Sequence, residues 1–557
     1  MSSEISAVLE RPASAENFDA VTHKQQPIAR RTLIVVTTLL VLFLALPILS
    51  FPPGRDQGTY LQIGQSLLEG KHLYVDLWDN KPPAIFCIYA GIAKIFGRVM
   101  WSVAVVDFLL LLATSFLLFK FVERYLGSLG AAIAVVVHAG WHAKILYFWI
   151  SQPENFQIPC VLGAALLLMS PGKWRARSFV AGLLCGLGFW LKYNFVAFLP
   201  LVLFLPFLDE TALDRRSPRF ALRIAWRDWL FRMVFVASGF LLTVVAVMTW
   251  IAHTGGWPAM REAQFQVLPR YAAMAITDNP IYPLMAVART YFCLRPSTCF
   301  ATLAVLVWGW FSRDFKRLIP IFLAAAVSLA ATVMQVRFHS YYFQICFPFF
   351  AAIWAYLALK LYEGTLALAA ILKAKRQRVA AVLVWIVFAN LVFWPLPEEA
   401  TQSLVNYEEF GQWRSDRETF YENYPNQLSI ELLHGQLSVV HYIQKNTKPN
   451  DNIYVWGSNS LIYFLTGRQS PTRFVLNLGV IAKWGEPSWK EEVLKSVEAT
   501  NPRLIIVTRH DALPSITYVY LDSEQYLHQE FSQFDNYIHQ HYTKAEEFDG
   551  FVVYKRN

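Results

Sequence analysis

Long apolar runs recur along the first 396 residues of this chain, and they constrain its fold more than any other feature. About 20 apolar residues in a helix span a bilayer core of about 30 Å. The sequence therefore predicts a polytopic α-helical membrane protein with about eleven transmembrane helices. The predicted spans are 33–51, 100–119, 127–149, 156–170, 179–191, 194–208, 229–252, 297–311, 318–335, 342–360 and 379–396.

The net charge of +9 divides unevenly along the chain. Residues 1–396 carry 35 basic and 19 acidic side chains, a net of +16, and residues 397–557 carry 14 and 21, a net of −7. With 55% hydrophobic and 16% charged residues overall, the composition excludes a disordered or fibrous chain and a disulfide-stapled secreted domain. The division indicates two domains in different solvents rather than a basic nucleic-acid-binding surface.

The basic residues also predict how the chain crosses the membrane. A polar tail, 1–32, ends in Arg30-Arg31 and precedes the first apolar run, as in a signal anchor. If this tail is cytoplasmic, the basic clusters of later loops fall on the same side, in agreement with the positive-inside rule. Those clusters lie at 120–124, 173–177, 215–232, 313–317 and 373–378. With an odd number of spans, the acidic C-terminal third then lies on the external side.

Three domains follow from this arrangement: a cytoplasmic tail (1–32), a transmembrane domain (33–396) with an external loop at 53–99, and an extracytoplasmic α/β domain (397–557). Within the last, periodicity predicts helices at 433–446 and 488–499 and strands at 452–456, 503–508 and 550–555. A short apolar segment at 84–97 is predicted to be a helix along the interface.

Charged residues of the first external loop are the strongest candidates for chemistry. Asp56 follows the first span in a Gly-flanked turn, and Asp79 and Lys81 lie further along the same loop. A carboxylate at the membrane surface that faces a lysine is suited to removing a proton from a substrate hydroxyl. The alternative is that Asp56 only caps the helix that follows it, since Asp is a preferred N-cap residue.

Several motifs resemble one family in the order in which they occur. The first loop, with an acid, Tyr60 and the sequence Asp79-Asn80-Lys81-Pro82-Pro83, resembles that of the GT-C glycosyltransferases. The subgroup is that of the protein O-mannosyltransferase-like and lipid A aminoarabinose transferase-like enzymes. The other matching segments are Gln152-Pro153-Glu154-Asn155-Phe156, the Gly-rich stretch from Gly182 to Lys192, and Arg337-Phe338-His339-Ser340-Tyr341-Tyr342-Phe343 followed by Pro348.

The resemblance implies an enzyme that transfers a sugar from a polyprenyl-phosphate donor to an acceptor hydroxyl on the external face. The acceptor would be a lipid, glycan or protein, and the membrane a bacterial plasma membrane. Asp56 would be the catalytic base, with inversion at the anomeric carbon, and Glu154 a second acid. The residues that would bind the donor phosphate are Lys81, Lys192, Arg270, Arg337, His339, Tyr341 and Tyr342, with Tyr60, Asp79, Pro82 and Pro83 as the loop motif.

Simpler roles remain open for the same residues. Arg, Lys and Tyr also anchor spans at headgroups, Glu154 could cap its helix, and the segment from Gly255 to Tyr271 is either a lid or an ordinary interfacial loop. Asp107 is predicted to be a buried acid paired with a neighbouring helix, and His138 and His142 to be packed polar residues.

Two features of the sequence bear on whether the protein binds a metal ion or cofactor. Asp56 is followed by Gln57, where several family members have a second acid, so a divalent cation is doubtful and no cofactor is expected. The six cysteines form no metal-binding pattern; Cys293 and Cys299 could bridge, although buried thiols are favoured.

Two other classes of function compete with the transferase. A transporter or flippase of lipid-linked sugars would have repeated halves, which the sequence lacks. A receptor that binds its ligand through the α/β domain would leave the Asp56–Pro83 loop unexplained.

Overall fold

A computed structural model of the chain describes residues 27–145, 147–170, 173–213, 226–277, 281–311, 315–371, 379, 395–424 and 433–557. Most of the predicted tail, much of the span at 379–396 and the basic residues at 215–225 and 373–378 lie outside these ranges. The described part is a helical assembly followed by a four-stranded domain.

The helices of the first part occur in an order that matches the apolar runs. They are α1 (Pro27–Ala45), α2 (Arg55–Leu68), α3 (Ala84–Phe96), α4 (Ser102–Ala143), α5 (Pro153–Met169), α6 (Trp174–Leu191), α7 (Phe198–Leu213), α8 (Trp226–His253), α9 (Trp257–Arg261), α10 (Leu268–Thr277), α11 (Tyr282–Cys293), α12 (Pro296–Phe311), α13 (Phe315–Val333), α14 (Phe347–Ile371), α15 (Pro395–Ser415) and α16 (Arg417–Glu422). Short 3₁₀ turns lie at Leu46–Ser50, Tyr147–Trp149, Tyr193–Ala197 and Ser340–Cys346, and a π-helical turn at Glu262–Val267.

Fewer helices are long and apolar enough to cross a bilayer than the eleven spans that the sequence predicts. Among the described residues, four helical segments are long and apolar enough to cross a bilayer: 30–50, 102–143, 229–253 and 340–365. A fifth span is possible if α11 and α12, which meet at 86°, form one broken span. Helix α4 covers two predicted spans, and its backbone leaves the helical conformation at Gly127, where φ is +72°. The total of eleven therefore stays a prediction.

Glycines in the predicted motif allow two helices to approach closely. A Cβ atom on Gly182 would lie 2.1 Å from the carbonyl oxygen of Val236, and one on Gly239 would lie 2.1 Å from that of Phe179. Helices α6 and α8 therefore pack backbone to backbone. This contact gives the Gly-rich motif a packing role.

Helices α2 and α3 form the predicted external loop. A Cβ on Gly64 would lie 2.5 Å from the backbone nitrogen of Ala90, so the two helices pack tightly. Helix α3 buries Ile85, Phe86 and Tyr89 on this contact.

The last part of the chain is a small α/β domain. Its helices are α17 (Leu433–Asn446), α18 (Leu461–Thr466), α19 (Leu478–Ile481), α20 (Ser488–Thr500), α21 (Pro514–Thr517), α22 (Ser523–Glu530) and α23 (Ser532–His541). The strands β1 (Ile453–Trp456), β2 (Leu504–Thr508), β3 (Tyr542–Phe548) and β4 (Phe551–Arg556) pair in the order β1-β2-β4-β3. Only β1 and β2 are parallel. Both predicted helices and all three predicted strands are confirmed within one or two residues.

Helix α15 joins this domain to the membrane part. Its Asn406 donates to the carbonyl of Ala143 at 2.8 Å, and its Tyr407 hydroxyl donates to that of Phe43 at 2.6 Å. The predicted boundary at 396 falls inside this helix, and the sheet domain itself begins at α17.

Candidate active site

Asp56 lies in the first turn of α2, where it does not cap the helix. The N-cap residue is Gly54, whose backbone is extended, and the Asp56 carboxylate instead lies 3.5 Å from the Arg55 guanidinium. The capping alternative for Asp56 is therefore wrong. Burial alone would raise the pKa of Asp56, but the charges of Lys81 and Arg55 outweigh it and hold that pKa below its usual range. The carboxylate is ionised at neutral pH.

Lys81 lies near two acids, Asp56 and Asp79, whose pKa values shift in opposite directions. Asp79 accepts a hydrogen bond from the Lys81 backbone nitrogen at 2.9 Å. Burial raises the pKa of Asp79 in spite of Lys81, with the Asp56 charge adding to the increase. Two carboxylates whose pKa values are pushed apart are typical of sites that handle protons. Here Asp56 is the readily ionised member.

The other residues of the loop motif hold this lysine in place. The ring of Tyr60 lies 5.1 Å from the Lys81 ammonium, and the Tyr74 hydroxyl donates to the Lys81 carbonyl at 2.8 Å. Gln264, from the segment predicted to be either a lid or an interfacial loop, donates to the same carbonyl at 3.1 Å. Pro82 and Pro83 are buried just before α3, and Pro83 is its N-cap residue.

Glu154 and Lys192 form a second charged pair. Glu154 is fully buried in the first turn of α5 and accepts a hydrogen bond from the Lys192 ammonium, which follows α6. Gln152 is the N-cap residue of α5. Glu154 therefore neutralises Lys192 rather than capping its own helix. The same ammonium lies 3.5 Å from the ring centre of Tyr342 and 5.8 Å from that of Tyr341, so Lys192 is held inside the protein rather than extended to headgroups.

Arg337 connects the membrane part to the α/β domain. It is 6% exposed, and its two terminal nitrogens donate to the carbonyls of Ser515 and Tyr271, each at 2.7 Å. Its guanidinium lies 3.9 Å from the ring centre of Tyr271 and 4.9 Å from that of Tyr518. Arg337 thus lies between the segment around α10 and the sheet domain.

His339 is close to this group but uncharged. Its ring stacks beside Tyr341, with centres 5.9 Å apart, and its Nε2 lies 3.5 Å from the Tyr271 hydroxyl. Burial, with help from the Arg337 charge, lowers the pKa of His339 to about 3. At neutral pH, His339 can form hydrogen bonds but contributes no positive charge.

Arg270 differs from the expectation. It is partly exposed and pairs with Glu486 of the α/β domain, and its Nε donates to the Gln266 carbonyl at 3.4 Å. The structure therefore joins Arg270 to the α/β domain and does not bring it to Asp56. Its neighbour Tyr271, which sequence reasoning missed, contacts both Arg337 and His339. Sequence reasoning also assigned no role to Arg55, whose guanidinium lies 3.5 Å from the Asp56 carboxylate.

Other sequence predictions have clear outcomes. Asp107 is buried, as predicted, but its partner at 2.7 Å is His142, which lies beyond the break at Gly127 in the same helix rather than in a neighbouring one. Cys293 and Cys299 are free thiols, so the possible bridge is absent. Across the described ranges, the one group of three converging His, Cys, Asp or Glu ligands is Glu418, Glu422 and His441, none of which belongs to the site.

Two sequence families match parts of the chain. One, described as dolichyl-phosphate-mannose-protein mannosyltransferase, matches residues 80–217. The other, described as the putative competence-induced protein Ccs4 C-terminal domain, matches residues 435–557, which cover nearly all of the α/β domain. No curated protein matches the sequence.

Solved structures match over nearly the whole chain. ArnT from Cupriavidus metallidurans bound to undecaprenyl phosphate has 14% identity and a TM-score of 0.52, with 94% of this chain and 97% of that chain covered. ArnT in the apo state gives the same values. The structural similarity shows that the chain shares the multi-pass membrane fold of these ArnT structures, and residues 80–217 match the mannosyltransferase family.

Proposed function

We propose that this protein transfers a sugar from a polyprenyl-phosphate donor to an acceptor hydroxyl on the external face of the membrane. The observation that carries the proposal is the ionised Asp56 carboxylate beside Lys81 and Arg55, with the charge of Lys192 also close enough to lower its pKa. The mannosyltransferase match to residues 80–217 supports the donor class, because it includes Lys81, Glu154 and Lys192.

The proposed reaction is a single displacement. Asp56 takes the proton of the acceptor hydroxyl as the acceptor oxygen forms a bond to the anomeric carbon. The bond between that carbon and the phosphate oxygen breaks, and its electron pair leaves with the lipid phosphate. One displacement inverts the configuration at the anomeric carbon. A bound donor phosphate also adds negative charge near Asp56, which would raise its pKa and make it a better base.

Fixed positive charge would stabilise the leaving phosphate. Lys81 and Lys192 are the proposed cations, and preorganised charges in a partly dehydrated site contribute several kcal/mol to such a step. Tyr341, Tyr342 and the neutral His339 are proposed as hydrogen-bonding groups. Arg337 would act mainly by holding the cover of the site, since backbone carbonyls already occupy its terminal nitrogens.

The surroundings of Asp56 fit a site that works without a divalent cation. Gln57 donates its amide to the Ile150 carbonyl at 2.7 Å, so this position supplies no second carboxylate beside Asp56. Lys81 and Arg55 already offset the charge of the Asp56 carboxylate. We therefore propose that these side chains replace a metal ion in balancing the phosphate charge.

The acceptor class and cellular location are part of the same proposal. The acceptor is a lipid, glycan or protein at the cell surface, and the membrane is a bacterial plasma membrane with the N-terminus in the cytoplasm. Basic loops on one side and the acidic domain on the other support this orientation.

Asp56→Asn tests the proposal directly. In membranes supplied with a polyprenyl-phosphate sugar, we expect this variant to lose transfer by at least 100-fold while its amount in the membrane stays normal. Asp76→Asn is the matched control, because Asp76 is an exposed acid of the same loop that bonds only locally, to the His72 backbone nitrogen. Near wild-type transfer by Asp56→Asn would overturn the assignment.

A further inference from the structure

A sharply bent turn at residues 150–152 lies behind the candidate site. Ser151 has a φ of +47°, in the left-handed region that residues with a Cβ atom seldom occupy. The residue is fully buried, and Gln152 and Pro153 begin α5 directly after it. Strained backbone of this kind persists only where the surrounding contacts hold it.

The turn is bonded to the elements that carry the candidate catalytic residues. Gln57, next to Asp56, donates to the Ile150 carbonyl at 2.7 Å. The hydroxyl of Tyr89 donates to the Ser151 carbonyl at 3.0 Å, and that of Tyr60 to the Gln152 side chain at 3.2 Å. Glu154, the partner of Lys192, is three residues further along. The position of this turn therefore sets the relative positions of Asp56 and Glu154.

Asp107 holds the turn from the other side. One oxygen of its carboxylate accepts hydrogen bonds from the Ser151 backbone nitrogen at 2.6 Å and from its hydroxyl at 3.2 Å. The second oxygen lies 2.7 Å from His142 Nε2, which fixes the carboxylate. Asp107 is completely buried within α4. An acid at membrane depth is costly, so its presence there points to a function.

We propose that Asp107 is a positioning residue for sugar transfer, which acts by holding Ser151 in its left-handed conformation so that Asp56 and Glu154 meet the substrates together. The inference rests on the proposed function. It explains why α4 contains a buried acid that does not contact the charged side chains of the candidate active site. A shift of about 1 Å in reacting groups can reduce a rate by about 100-fold.

A double variant separates this role from general stabilisation. Asp107→Ala should lower kcat by at least 10-fold per folded molecule, with donor and acceptor KM changed less than threefold. Glycine adopts positive φ without strain, so adding Ser151→Gly to Asp107→Ala should restore kcat at least threefold. Asp107→Asn keeps one oxygen acceptor for the Ser151 nitrogen, and it should retain more activity than Asp107→Ala. Thr114→Ala, a buried polar change in the same helix, is the control and should leave kcat unchanged.

The outcomes are distinguishable from failure of the proposed function. Folded protein is measured by size-exclusion chromatography in detergent, and kcat is calculated from that amount. An Asp107→Ala variant with wild-type kcat per folded molecule would overturn the positioning role, as would a double variant no more active than Asp107→Ala. If the wild-type protein transfers no sugar while bound donor is detectable, the proposed function fails instead.

Discussion

Breaking the Glu154–Lys192 pair offers the sharpest test of how the buried site is built. Glu154 has no exposed side-chain surface, whereas the Lys192 side chain is 19% exposed. Removal of one partner of a buried ion pair costs about 3–5 kcal/mol, because the other charge is left unpaired. Lys192→Met should lower the free energy of unfolding by about 3 kcal/mol, the lower end of this range, because water can partly reach the position of the lost ammonium.

The double variant Glu154→Gln/Lys192→Met supplies the reference. It removes both charges, so most of the lost stability should return and the remaining cost should be about 1 kcal/mol. Lys495→Met is the exposed control: the side chains of its ion pair with Glu491 are 71% and 68% exposed, so its loss should leave stability nearly unchanged. Thermal unfolding of the full chain in detergent gives the order of stability.

Kinetics add a second measurement to the same set of variants. Lys192→Met should raise the donor KM, because a cation beside the leaving phosphate is lost. Glu154→Gln releases Lys192 from its partner, so the donor KM should stay the same or fall. The reasoning is refuted if the double variant is as unstable as Lys192→Met, or if both single variants change the donor KM by the same factor.

Two further predictions concern other groups. Lys81→Ala should raise the donor KM more than the acceptor KM in steady-state transfer assays, and a change confined to the acceptor would contradict the phosphate role of Lys81. Burial raises the pKa of Asp511 to about 6. The folded state therefore binds a proton more strongly than the unfolded state does. The free energy of unfolding should fall by about 3 kcal/mol as the pH rises from about 4 to 6. Asp511→Asn should therefore flatten the difference in melting temperature between pH 5.0 and 7.5, and an unchanged difference would refute this linkage.

Local patterns in the sequence account for most of the elements. Apolar runs and strands are set by residues close together in the chain, and helices lie on all of the predicted spans within the described ranges. Strand β3 was missed because its residues from Thr543 to Glu547 are all exposed and, apart from Ala545, polar, without the alternation that identifies a strand. Charged residues of this kind protect the edge of a sheet from pairing with other chains.

The site was less accessible to sequence reasoning where its contacts are distant. Asp56, Lys81 and the Glu154–Lys192 region were predicted from their motifs and positions. Arg337 bonds to Ser515 and Arg270 pairs with Glu486, which lie 178 and 216 residues further along the chain, and no local pattern reports such pairings. Likewise, the neutral state of His339 depends on burial produced by the whole fold.

The contact of α2 with the α/β domain has a consequence for the order in which the protein is made. A Cβ on Gly58 would lie 2.9 Å from that of Leu461, and Thr59 bonds to Ser460, 401 residues later, at 3.1 Å. At about 5–20 residues per second, ribosomes need about 20–80 s to synthesise the intervening chain. The helix that carries Asp56 therefore cannot make this contact until Ser460 and Leu461 have left the ribosome, long after the helix itself has been synthesised.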